Sequence, residues 1–426
     1  MNKDRLKIFR IMKSSVRGSD KHLLVGIDVA KDSHHAFFGT ANGRTLRKRL
    51  VFDNSTKGFE SLRSLAKDLQ NQHGLVETVY GVEPTACYHK PLAEYLIRQN
   101  EQVVYVSNVA VAKNRVLMDG RWDKNDDKDA ANVADLVGQG RCLFYDMPDE
   151  SLQKLRSLVT FRLRVKKQEH AVQMRLRNNI FAQYFPELDG ACIRAFHGDL
   201  VLSIAEHCLD PREIARMEFA DFLKLVVSKK IGRKTEKCLR EIWEAAGDSV
   251  GCPVHDEARW ETKSMAHELR AIREIVKESE LRMEKVAQEF LEYQYLLTIP
   301  GFGPIVSAMV LGAIGDPSRF ENQGQVLRLA GLDLCASRSG KKSDSAKPVI
   351  SKQGKSALRY TLVQAATVAS TWNPSIRSYF SGLLKGREHE CGIRLKMKVK
   401  LAAKLLIIAW TLMKRKEAFK PSCFTG

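Results

Sequence analysis

The chain has 426 residues, 44% of them hydrophobic, and carries 69 Lys and Arg against 50 Asp and Glu, a formal net charge of +19. This length allows two or three domains with a large core. The basic excess favours a polyanionic partner, with nucleic acid ahead of a membrane surface. Nine cysteines without a CxxC pair argue against a disulfide framework or a zinc ribbon, and they fit a reduced cytoplasmic protein.

The two ends of the chain give no membrane signal. Residues 1–21 are basic and lack the continuous apolar run of a signal peptide, so we interpret them as a basic N-terminal extension. The longest apolar run, residues 401–413, contains Lys404 and is too short to span a bilayer. We expect a packed helix with a basic rim there, and no membrane partner.

Strand and helix signals alternate from residue 22 onwards. The predicted strands are "LLVGID", "HHAFFG", "RKRLVF", "TVYGVEP" and "QVVYVS", and the predicted helices between them are "GFESLRSLAKDLQ" and "YHKPLAEYLIRQ". A long helical stretch follows and ends with "KNDDKDAANVADL". Three consecutive strands followed by strand–helix alternation predict a mixed sheet with helices packed on it, an α/β domain over residues 22–150.

Residues 151–294 are predicted to be a long helical region. Apolar residues lie near helical spacing over 152–185 and again over 262–291. Two interpretations remain open: a helical hairpin within one chain, or a coiled coil that assembles a homodimer or homotetramer. Residues 186–260 between them are predicted to be a small helical insert, in which we interpret Cys252 and His255 as structural.

Two predicted strands each end in an acid. Asp28 closes the apolar run "LLVGID", and Glu83 ends "TVYGVE" just before Pro84 stops the strand. An acid at the end of a buried strand is costly unless it is paired, hydrogen-bonded or bound to a metal ion. Strand ends are also where ligands gather in α/β sheets.

The segment "KNDDKDAANVADL" concentrates negative charge in a basic protein. In a helix, Asp126 and Asp129 project roughly 60° from each other and continue the stripe of Val133 and Leu136, whereas Asp127 lies nearer the edge. This favours a packed face that carries two carboxylates. The ordinary alternative is a pair of acids near a helix start that interacts with the helix dipole.

Four carboxylates are therefore candidates for one site: Asp28, Glu83, Asp126 and Asp129. Hard divalent cations prefer oxygen ligands, and Mg²⁺ is commonly held by carboxylates together with substrate phosphate. Two such ions about 3.5–4 Å apart stabilise the attacking and leaving oxygens of phosphodiester transfer. Without metal, four clustered acids would repel one another. The set predicts a two-ion Mg²⁺ site, with Mn²⁺ as the alternative ion.

A second domain is predicted over residues 295–426. "LLTIPGFGPIVSAMVLGAIGD" predicts two helices joined by a tight turn at Gly301 and Gly303, a helix-hairpin-helix-like element. Its glycines would let backbone amides approach a DNA phosphate. The alternative is a plain helix connector. A loop rich in Gly, Ser and Lys, a further helix and a basic helical tail follow.

The acidic motifs resemble those of the DEDD transposases of family 110 of bacterial insertion sequences, which include the Piv-type invertases. The family pattern Glu-x-Thr-Gly is here Glu83-Pro84-Thr85-Ala86, and Lys-Ser/Thr-Asp-x-x-Asp-Ala is here Lys124-Asn125-Asp126-Asp127-Lys128-Asp129-Ala130. Both departures keep the acids. The resemblance implies a RuvC-like, ribonuclease-H-type fold in which the four acids are catalytic metal ligands. It covers nearly the whole chain except 1–21 and 186–260.

The C-terminal part carries the same resemblance. The pattern Gly-Leu-x-Pro-x-x-x-x-Ser-Gly matches 331–340 with leucine in place of proline, and Lys-x-Gly-Asn-x-x-Leu-Arg matches 352–359 with lysine in place of asparagine. In this family a serine of the second domain joins covalently to DNA, and the pattern assigns that role to Ser339, with Ser337 as the runner-up. The alternative is that Ser-Gly is ordinary loop chemistry.

Six basic residues follow this serine and would surround a phosphate backbone with positive charge: Lys341, Lys342, Lys347, Lys352, Lys355 and Arg359. The alternative is a solvated basic loop. The resemblance further implies that a structured noncoding RNA guides recombination. The sequence contains no paired zinc-finger ligands and no obvious basic zipper, which fits specificity delegated to another molecule.

The leading hypothesis is thus a DNA transposase or site-specific recombinase, acting on element ends and target DNA in a bacterial cytoplasm. A RuvC-like nuclease that uses water would need the same four acids but not Ser339. A nucleic-acid-binding architectural protein would need neither. A sugar-kinase-like ATPase ranks last, because no second phosphate-binding glycine loop follows. The acids and Ser339 could meet within one chain or between chains.

Overall fold

The computed structural model describes residues 2–119, 126–188, 199–228, 230–336 and 348–421. The chain forms two units, Met1–Asp149 and Glu150–Gly426. The first is an α/β unit built on a mixed sheet, and the second is mostly helical in its described part. The predicted α/β domain is confirmed, and the region predicted to be all-α is mostly helical but also contains a two-stranded sheet.

The first unit contains all the strands that the sequence predicts. In chain order its elements are α1 (Asn2–Ser15), β1 (His22–Val29), β2 (Ser33–Thr40), β3 (Thr45–Asp53), α2 (Thr56–Gln72), β4 (Glu77–Val82), α3 (His89–Arg98), β5 (Gln102–Tyr105), α4 (Asn108–Asp119), α5 (Asp126–Gly138) and β6 (Leu143–Phe144). The sheet order is β3-β2-β1-β4-β5-β6. Strands β1, β4 and β5 run parallel, and β2, β3 and β6 pair antiparallel.

Both faces of the sheet are covered. Val25 and Ile27 of β1 point into a core formed with α2 and α3. Leu24, one residue along, points to the opposite face and packs with Val133 and Val137 of α5. The alternation follows from the period of two along a strand. Since β1 is central and covered on both faces, its sequence is a continuous apolar run.

The basic N-terminal extension is a helix that packs on the sheet. Phe9, Met12 and Val16 are buried in the same cluster as α5. Phe9 and Met12 lie on one face of α1, and Val16 follows just after its end. Two basic residues also contact this unit: the Lys13 ammonium group donates to the carbonyl oxygen of Cys142 over 3.0 Å. The Arg5 guanidinium also donates to the carbonyl oxygen of Tyr145 over 3.1 Å, and burial lowers the pKa of Arg5.

The second unit is built around two long helices. In chain order its elements are α6 (Glu150–Arg175), α7 (Ala182–Tyr184), α8 (Asp199–His207), α9 (Pro211–Ala215), α10 (Phe219–Val226), α11 (Arg233–Gly247), α12 (Asp256–Ala287), α13 (Leu291–Leu297), α14 (Pro304–Ile314), α15 (Gln323–Ala330), β7 (Leu334–Cys335), β8 (Val349–Ile350), α16 (Ser356–Trp372), α17 (Pro374–Leu384) and α18 (Ile393–Arg415). A π-helical turn, Leu176–Phe181, joins α6 to α7.

The long helices α6 and α12 pair antiparallel within the chain. Arg162 contacts Glu280 at 2.5 Å, and Arg273 lies 3.6 Å from Glu169. Residue numbers therefore increase along α6 while those of the contacting residues in α12 decrease. The helical hairpin, one of the two interpretations of these segments, is therefore present. The described part of the segment between the long helices contains the short helices α8 to α11, and His255 accepts a hydrogen bond from the backbone N–H of Ala258 to cap α12.

One end of the α6–α12 hairpin shares a core with the C-terminal helices. Leu155 of α6 and Met283 of α12 belong to the same buried cluster as Leu405 of α18. The apolar run at 401–413 is thus a packed helix, as expected. None of the helices in the described ranges has the length and apolar character that crossing a membrane requires.

Candidate active site

Asp28 and Glu83 lie side by side at the ends of two parallel strands. Ile27 and Val82 are register partners in the β1–β4 pair, and the backbone N–H of Glu83 donates to the carbonyl oxygen of Ile27 over 3.4 Å. The ladder therefore continues one residue further. Neighbouring strands are about 4.8 Å apart, and register partners point to the same face, so the two carboxylates emerge together.

That face is the one on which α5 packs. A Cβ atom on Gly26 would lie 2.1 Å from the carbonyl oxygen of Ala130 and 2.5 Å from the backbone N of Ala134. A Cβ on Gly81 would lie 2.6 Å from a methyl group of Val137. Glycine at both strand positions thus allows the helix backbone to approach the sheet closely. Asp28 and Glu83 are two residues further along their strands and share this face.

The direction of α5 places its first turn over the strand ends. Leu24 lies against Gly138 at the end of the helix, whereas the next residue on that face of β1, Gly26, lies against Ala130. The helix therefore runs antiparallel to β1, with Asp126 at its start. Val133 and Leu136 are buried, as the predicted stripe requires. The side chains of Asp126 and Asp127 lie outside the described residues.

Asp129 is buried and held by an arginine of α4. Its side chain is 1% exposed, and both Nε and Nη2 of Arg115 contact its Oδ1, at 2.8 and 2.6 Å. Buried charges persist only with such a partner. Next to this pair, Asn114 of α4 donates to Oδ1 of Asn132 over 2.8 Å. The side of α5 that carries Asp129 and Asn132 is thus covered by α4.

The three described carboxylates of the candidate site do not all converge on one point. Asp28 and Glu83 adjoin each other, while Asp129 is turned to Arg115. Among the described side chains, no three His, Cys, Asp or Glu residues lie close enough to hold one metal ion. Asp126, the fourth predicted ligand, has its side chain outside that set. The donor chemistry itself, carboxylate oxygens from two strands and one helix, fits a hard divalent cation.

His35 lies beside Asp28, and no sequence pattern predicted it as part of the site. It is the register partner of Asp28 across the antiparallel β1–β2 pair, so both side chains lie on the α5 face. Phe37, two residues further along β2, packs in the hydrophobic cluster under α5. Because alternate residues of a strand point to the same face, the His35 side chain also points to the α5 face. A single histidine in a strand carries no spacing signal, and only the cross-strand register brings it beside Asp28.

The turn after Asp28 is fixed by a second histidine on the opposite face. His34 is fully buried between Phe52 and Phe59, and its Nδ1 accepts a hydrogen bond from the backbone N–H of Ala30 over 3.3 Å. Burial lowers the pKa of the imidazole. A neutral ring is also what the hydrogen bond requires, because a protonated Nδ1 cannot accept.

The segment after Glu83 contains a strained residue. Ala86 has φ of 45°, in the left-handed region that favours glycine. This is the position at which the chain departs from the family pattern Glu-x-Thr-Gly. The glycine of that pattern is thus explained by backbone geometry. Nearby, Asn108 at the start of α4 donates to the carbonyl oxygen of Pro84 over 3.3 Å and fixes the segment to the helix.

In the second unit, the two predicted glycines lie in a turn between α13 and α14, as the sequence indicates. Gly301 has φ of 84°, and a Cβ there would lie 2.5 Å from the carbonyl oxygen of Ala365 in α16. Packing within the unit therefore accounts for Gly301. Gly303 is exposed, and a Cβ added to it would meet no described atom within 4 Å beyond its chain neighbours. Of the two, Gly303 is the residue open to a phosphate.

The predicted serine loop begins and ends in a two-stranded ribbon. Leu334 pairs with Ile350 and Cys335 with Val349, and Ser351 Oγ donates to the Asp333 carboxylate over 2.5 Å. The ends of the segment that contains Ser339 are thus held together. The predicted residues Ser337, Ser339, Lys341, Lys342 and Lys347 lie outside the described residues.

The three remaining basic residues differ in their surroundings. Lys352 and Lys355 are exposed, and their backbone N–H groups donate to the carbonyl oxygens of Gly331 and Leu329. Arg359 is half-buried, and its Nη1 donates to the carbonyl oxygen of Ala330 over 2.8 Å at the end of α15. Arg359 therefore caps a helix, in addition to any contact with phosphate.

Known proteins match the chain over most of its length. A family model described as a transposase of the DEDD IS110 type matches residues 25–186, and a model described as the transposase IS116/IS110/IS902 family matches residues 293–381. The 44.8 kDa protein of insertion element IS116 from Streptomyces clavuligerus is 23% identical over 93% of this chain and 96% of its own.

A second relative gives the same picture. The 43.6 kDa protein of insertion element IS110 from Streptomyces coelicolor is 23% identical over 85% of this chain and 87% of its own. The two family models flank the helical insert and together match more than half of the residues. The four candidate acids lie within the first match, and the ribbon of the serine loop lies within the second. The chain therefore belongs to the IS116/IS110/IS902 family of transposases.

Proposed function

We propose that the protein cuts and rejoins DNA strands of its insertion element by metal-dependent phosphodiester transfer through a serine nucleophile. Membership of the transposase family implies DNA cleavage and strand transfer. The observation that carries the finer proposal is the meeting of Asp28 and Glu83 at adjacent strand ends under the first turn of α5. Asp126 and Asp129 belong to that turn.

The four acids would hold Mg²⁺, or Mn²⁺, in a RuvC-like arrangement. When bound, two divalent ions would neutralise the carboxylates and stabilise charge on the phosphate. The described residues position these acids. The close contact at Gly26 sets the depth of α5 on the sheet, and the ion pair with Arg115 holds the Asp129 carboxylate in place.

Ser339 would supply the nucleophile. Its Oγ would form a bond to phosphorus as one phosphorus–oxygen bond of the strand breaks, and the serine proton would pass to solvent while the leaving strand oxygen takes up a proton. The covalent intermediate conserves the bond energy for rejoining. The ribbon at Cys335 and Val349 supports this role, since it fixes both ends of the loop. Lys352 and Lys355 would contact the strand backbone.

A structured noncoding RNA would supply the sequence specificity. The formal charge of +19 supports a second polyanion beside DNA. The long α6–α12 hairpin would serve assembly into a dimer or tetramer through its exposed surface, which includes Trp260, Ile275 and Leu281.

Trapping on a labelled element-end substrate with the flanking RNA tests the mechanism. Ser339→Ala should abolish the covalent protein–DNA adduct, and Ser337→Ala is the matched control. An adduct that persists in Ser339→Ala would overturn the serine assignment. Cleavage without any adduct in the unaltered protein would favour the water-using nuclease.

The acidic site is tested in the same assay. Asp126→Asn should abolish Mg²⁺-dependent cleavage, while Asp127→Asn, one residue away and nearer the edge of the helix, should retain it. Cleavage by Asp126→Asn in Mg²⁺ would refute the metal-site proposal. Absence of cleavage by the unaltered protein on every element-end substrate would favour the architectural role.

A further inference from the structure

A cleft of about 880 Å³ opens in the first unit at the end of the sheet opposite the carboxylates. It lies between the β2–β3 turn, the end of α1 and the C-terminal end of α5. Arg17, Arg44 and Arg141 line it, together with backbone of several glycines. We call it the cationic cleft. Of the described candidate carboxylates, Asp28, Glu83 and Asp129 do not line it.

The positive charge of the cationic cleft is not neutralised by the protein. Within the described part of the chain, none of the three arginines forms an ion pair, and each is exposed. The lining contains one acid, Asp135, whose Oδ2 accepts hydrogen bonds from Asn114 at 2.8 Å and Gln139 at 2.6 Å. Because neutral amides satisfy this carboxylate, three guanidinium groups remain available to an anion.

The local backbone is arranged to hold these arginines at the helix end. Gly140 has φ of 67°, a left-handed conformation that favours glycine, and the Arg17 side chain lies so close that a Cβ would be 2.7 Å from its Nε. The backbone N–H groups of Gly140 and Arg141 donate to the carbonyl oxygens of Val137 and Leu136. These bonds satisfy the last carbonyls of α5, which therefore do not repel an anion strongly.

The floor of the cleft is apolar. Phe37, Ala131 and Ala134 line it beside the arginines. A Cβ on Gly39 would lie 2.9 Å from a ring carbon of Phe37, so the ring lies across the strand at this point. An aromatic ring beside cationic groups is the arrangement that unpaired nucleotides use, with the base on the ring and the phosphates on the cations. A duplex would reach the arginines without using the floor.

We propose that the cationic cleft binds an unpaired segment of a nucleic-acid strand, with backbone phosphates on the three arginines and a base against Phe37. The cleft and the carboxylates share the α5 face of the sheet. Gly138 lies nine residues from Asp129 along α5, about 14 Å, which is the length of roughly four stacked nucleotides. That the strand continues to the carboxylates rests on the proposed function, but binding in the cleft does not.

Equilibrium binding by the full-length protein in EDTA tests the proposal without any chemistry at the carboxylates. The probes are a fluorescent single-stranded oligonucleotide, made as DNA and as RNA, and the matched duplex. The test variant combines Arg17→Ala, Arg44→Ala and Arg141→Ala. The control removes three exposed cations elsewhere, each already paired with an acid: Arg98→Ala, Lys224→Ala and Lys237→Ala.

The expected result is a selective loss for the single strand. Each lost phosphate contact reduces the slope of log affinity against log salt by about 0.7, so the test variant should lose about 2 units and the control much less. Affinity is compared for the DNA and the RNA version of the oligonucleotide. The version whose affinity falls further in the test variant identifies the natural strand as DNA or RNA. Equal losses in the two variants, or an equal loss for the duplex, would overturn the proposal.

A second variant tests the base contact separately. Phe37→Leu keeps an apolar side chain under α5 but removes the ring. Affinity for the single strand should fall at least about fivefold while the salt slope stays unchanged, because stacking does not involve counterions. Unchanged affinity for both sugars would refute the base contact. Failure of DNA cleavage in the unaltered protein would leave both results standing, so the two proposals fail independently.

Discussion

The backbone of α5 approaches β1 so closely at Gly26 that Gly26→Ala is the most informative substitution. The added methyl would lie 2.1 Å from the carbonyl oxygen of Ala130. Real Cβ atoms essentially never approach another heavy atom closer than 3.0 Å, so α5 must retreat by about 1 Å. The obstacle is helix backbone, which cannot move aside as a side chain can.

The consequence is expected in both stability and activity. Overpacking a core costs about 1–3 kcal/mol, and a backbone obstacle places Gly26→Ala near the upper end, about 3 kcal/mol. For a unit of this size that corresponds to a fall in Tm of roughly 6–12 °C. Displacement of the first turn by about 1 Å would also misplace Asp126 and Asp129, and such an error can cost about 100-fold in rate.

The assay has two parts and two controls. Thermal unfolding of the full chain, with amide hydrogen exchange in α5, measures the stability of the first unit, and strand cleavage in Mg²⁺ measures the rate. Gly81→Ala meets side-chain methyls at 2.6 Å, so Val137→Ala should rescue it. Gly382→Ala in α17 meets nothing within 4 Å and should stabilise its helix by up to about 1 kcal/mol.

The reasoning has a clear point of failure. If Gly26→Ala unfolds at the temperature of the unaltered protein and cleaves at the same rate, α5 does not lie on β1 as described. Rescue of Gly26→Ala by trimming Val137 would be equally damaging, since the contact is with backbone atoms.

Three further outcomes are expected. Arg115→Ala should lower the free energy of unfolding by about 2–3 kcal/mol in EDTA, because Asp129 is left as a buried charge, and titrated Mg²⁺ should recover part of the loss; no change in chemical denaturation would count against the pair. Ala86→Gly should raise the free energy of unfolding by about 0.5–1 kcal/mol. The left-handed conformation costs alanine about 1–2 kcal/mol, and the greater conformational entropy of glycine in the unfolded chain offsets about half of the relief. A lower Tm for Ala86→Gly would contradict the strain at Ala86. The free energy of unfolding should fall as the pH drops below about 6.5, because the lowered pKa of His34 makes the unfolded chain bind more protons. His34→Asn, whose oxygen can replace Nδ1 as the acceptor for Ala30, should flatten this dependence in urea titrations from about pH 7.5 to 5; an unaltered slope would exclude His34 as the source.

The sheet of the first unit was predictable because its strands are apolar runs punctuated by glycine and polar turns. The strand-end acids were predictable for the same reason, since a carboxylate that closes a buried run is costly without a partner. The stripe through Val133 and Leu136 correctly placed Asp129 on a buried face.

Other features depend on tertiary pairing that no local pattern carries. Arg115 comes from the preceding helix, and nothing in its neighbourhood distinguishes it from the other arginines of this basic chain. His35 acquires its position only from the register of β1 with β2. The helix α1 did leave a signal, Phe9, Met12 and Val16 at helical spacing, but the basic residues between them favoured an extension over a packed element.

The roles of individual residues were less predictable than their positions. Gly301 was expected to approach a phosphate, and its close contact is with the carbonyl oxygen of Ala365. Arg359 was expected on the strand backbone, and its guanidinium also caps α15. In both cases the residue type was correctly interpreted as unusual, but sequence does not say which atom a close approach or a guanidinium will meet.

The antiparallel placement of α5 on β1 also has a consequence during synthesis. Asp28 leaves the ribosome about one hundred residues before Asp129, and at roughly 5–20 residues per second the interval is about 5–20 s. Through that interval α1 can cover part of this face of the sheet, but Leu24 and Val79 lack the contacts that α5 later supplies. The nascent chain therefore exposes apolar surface before α5 is synthesised, and a chaperone that shields this face would protect the chain from aggregation.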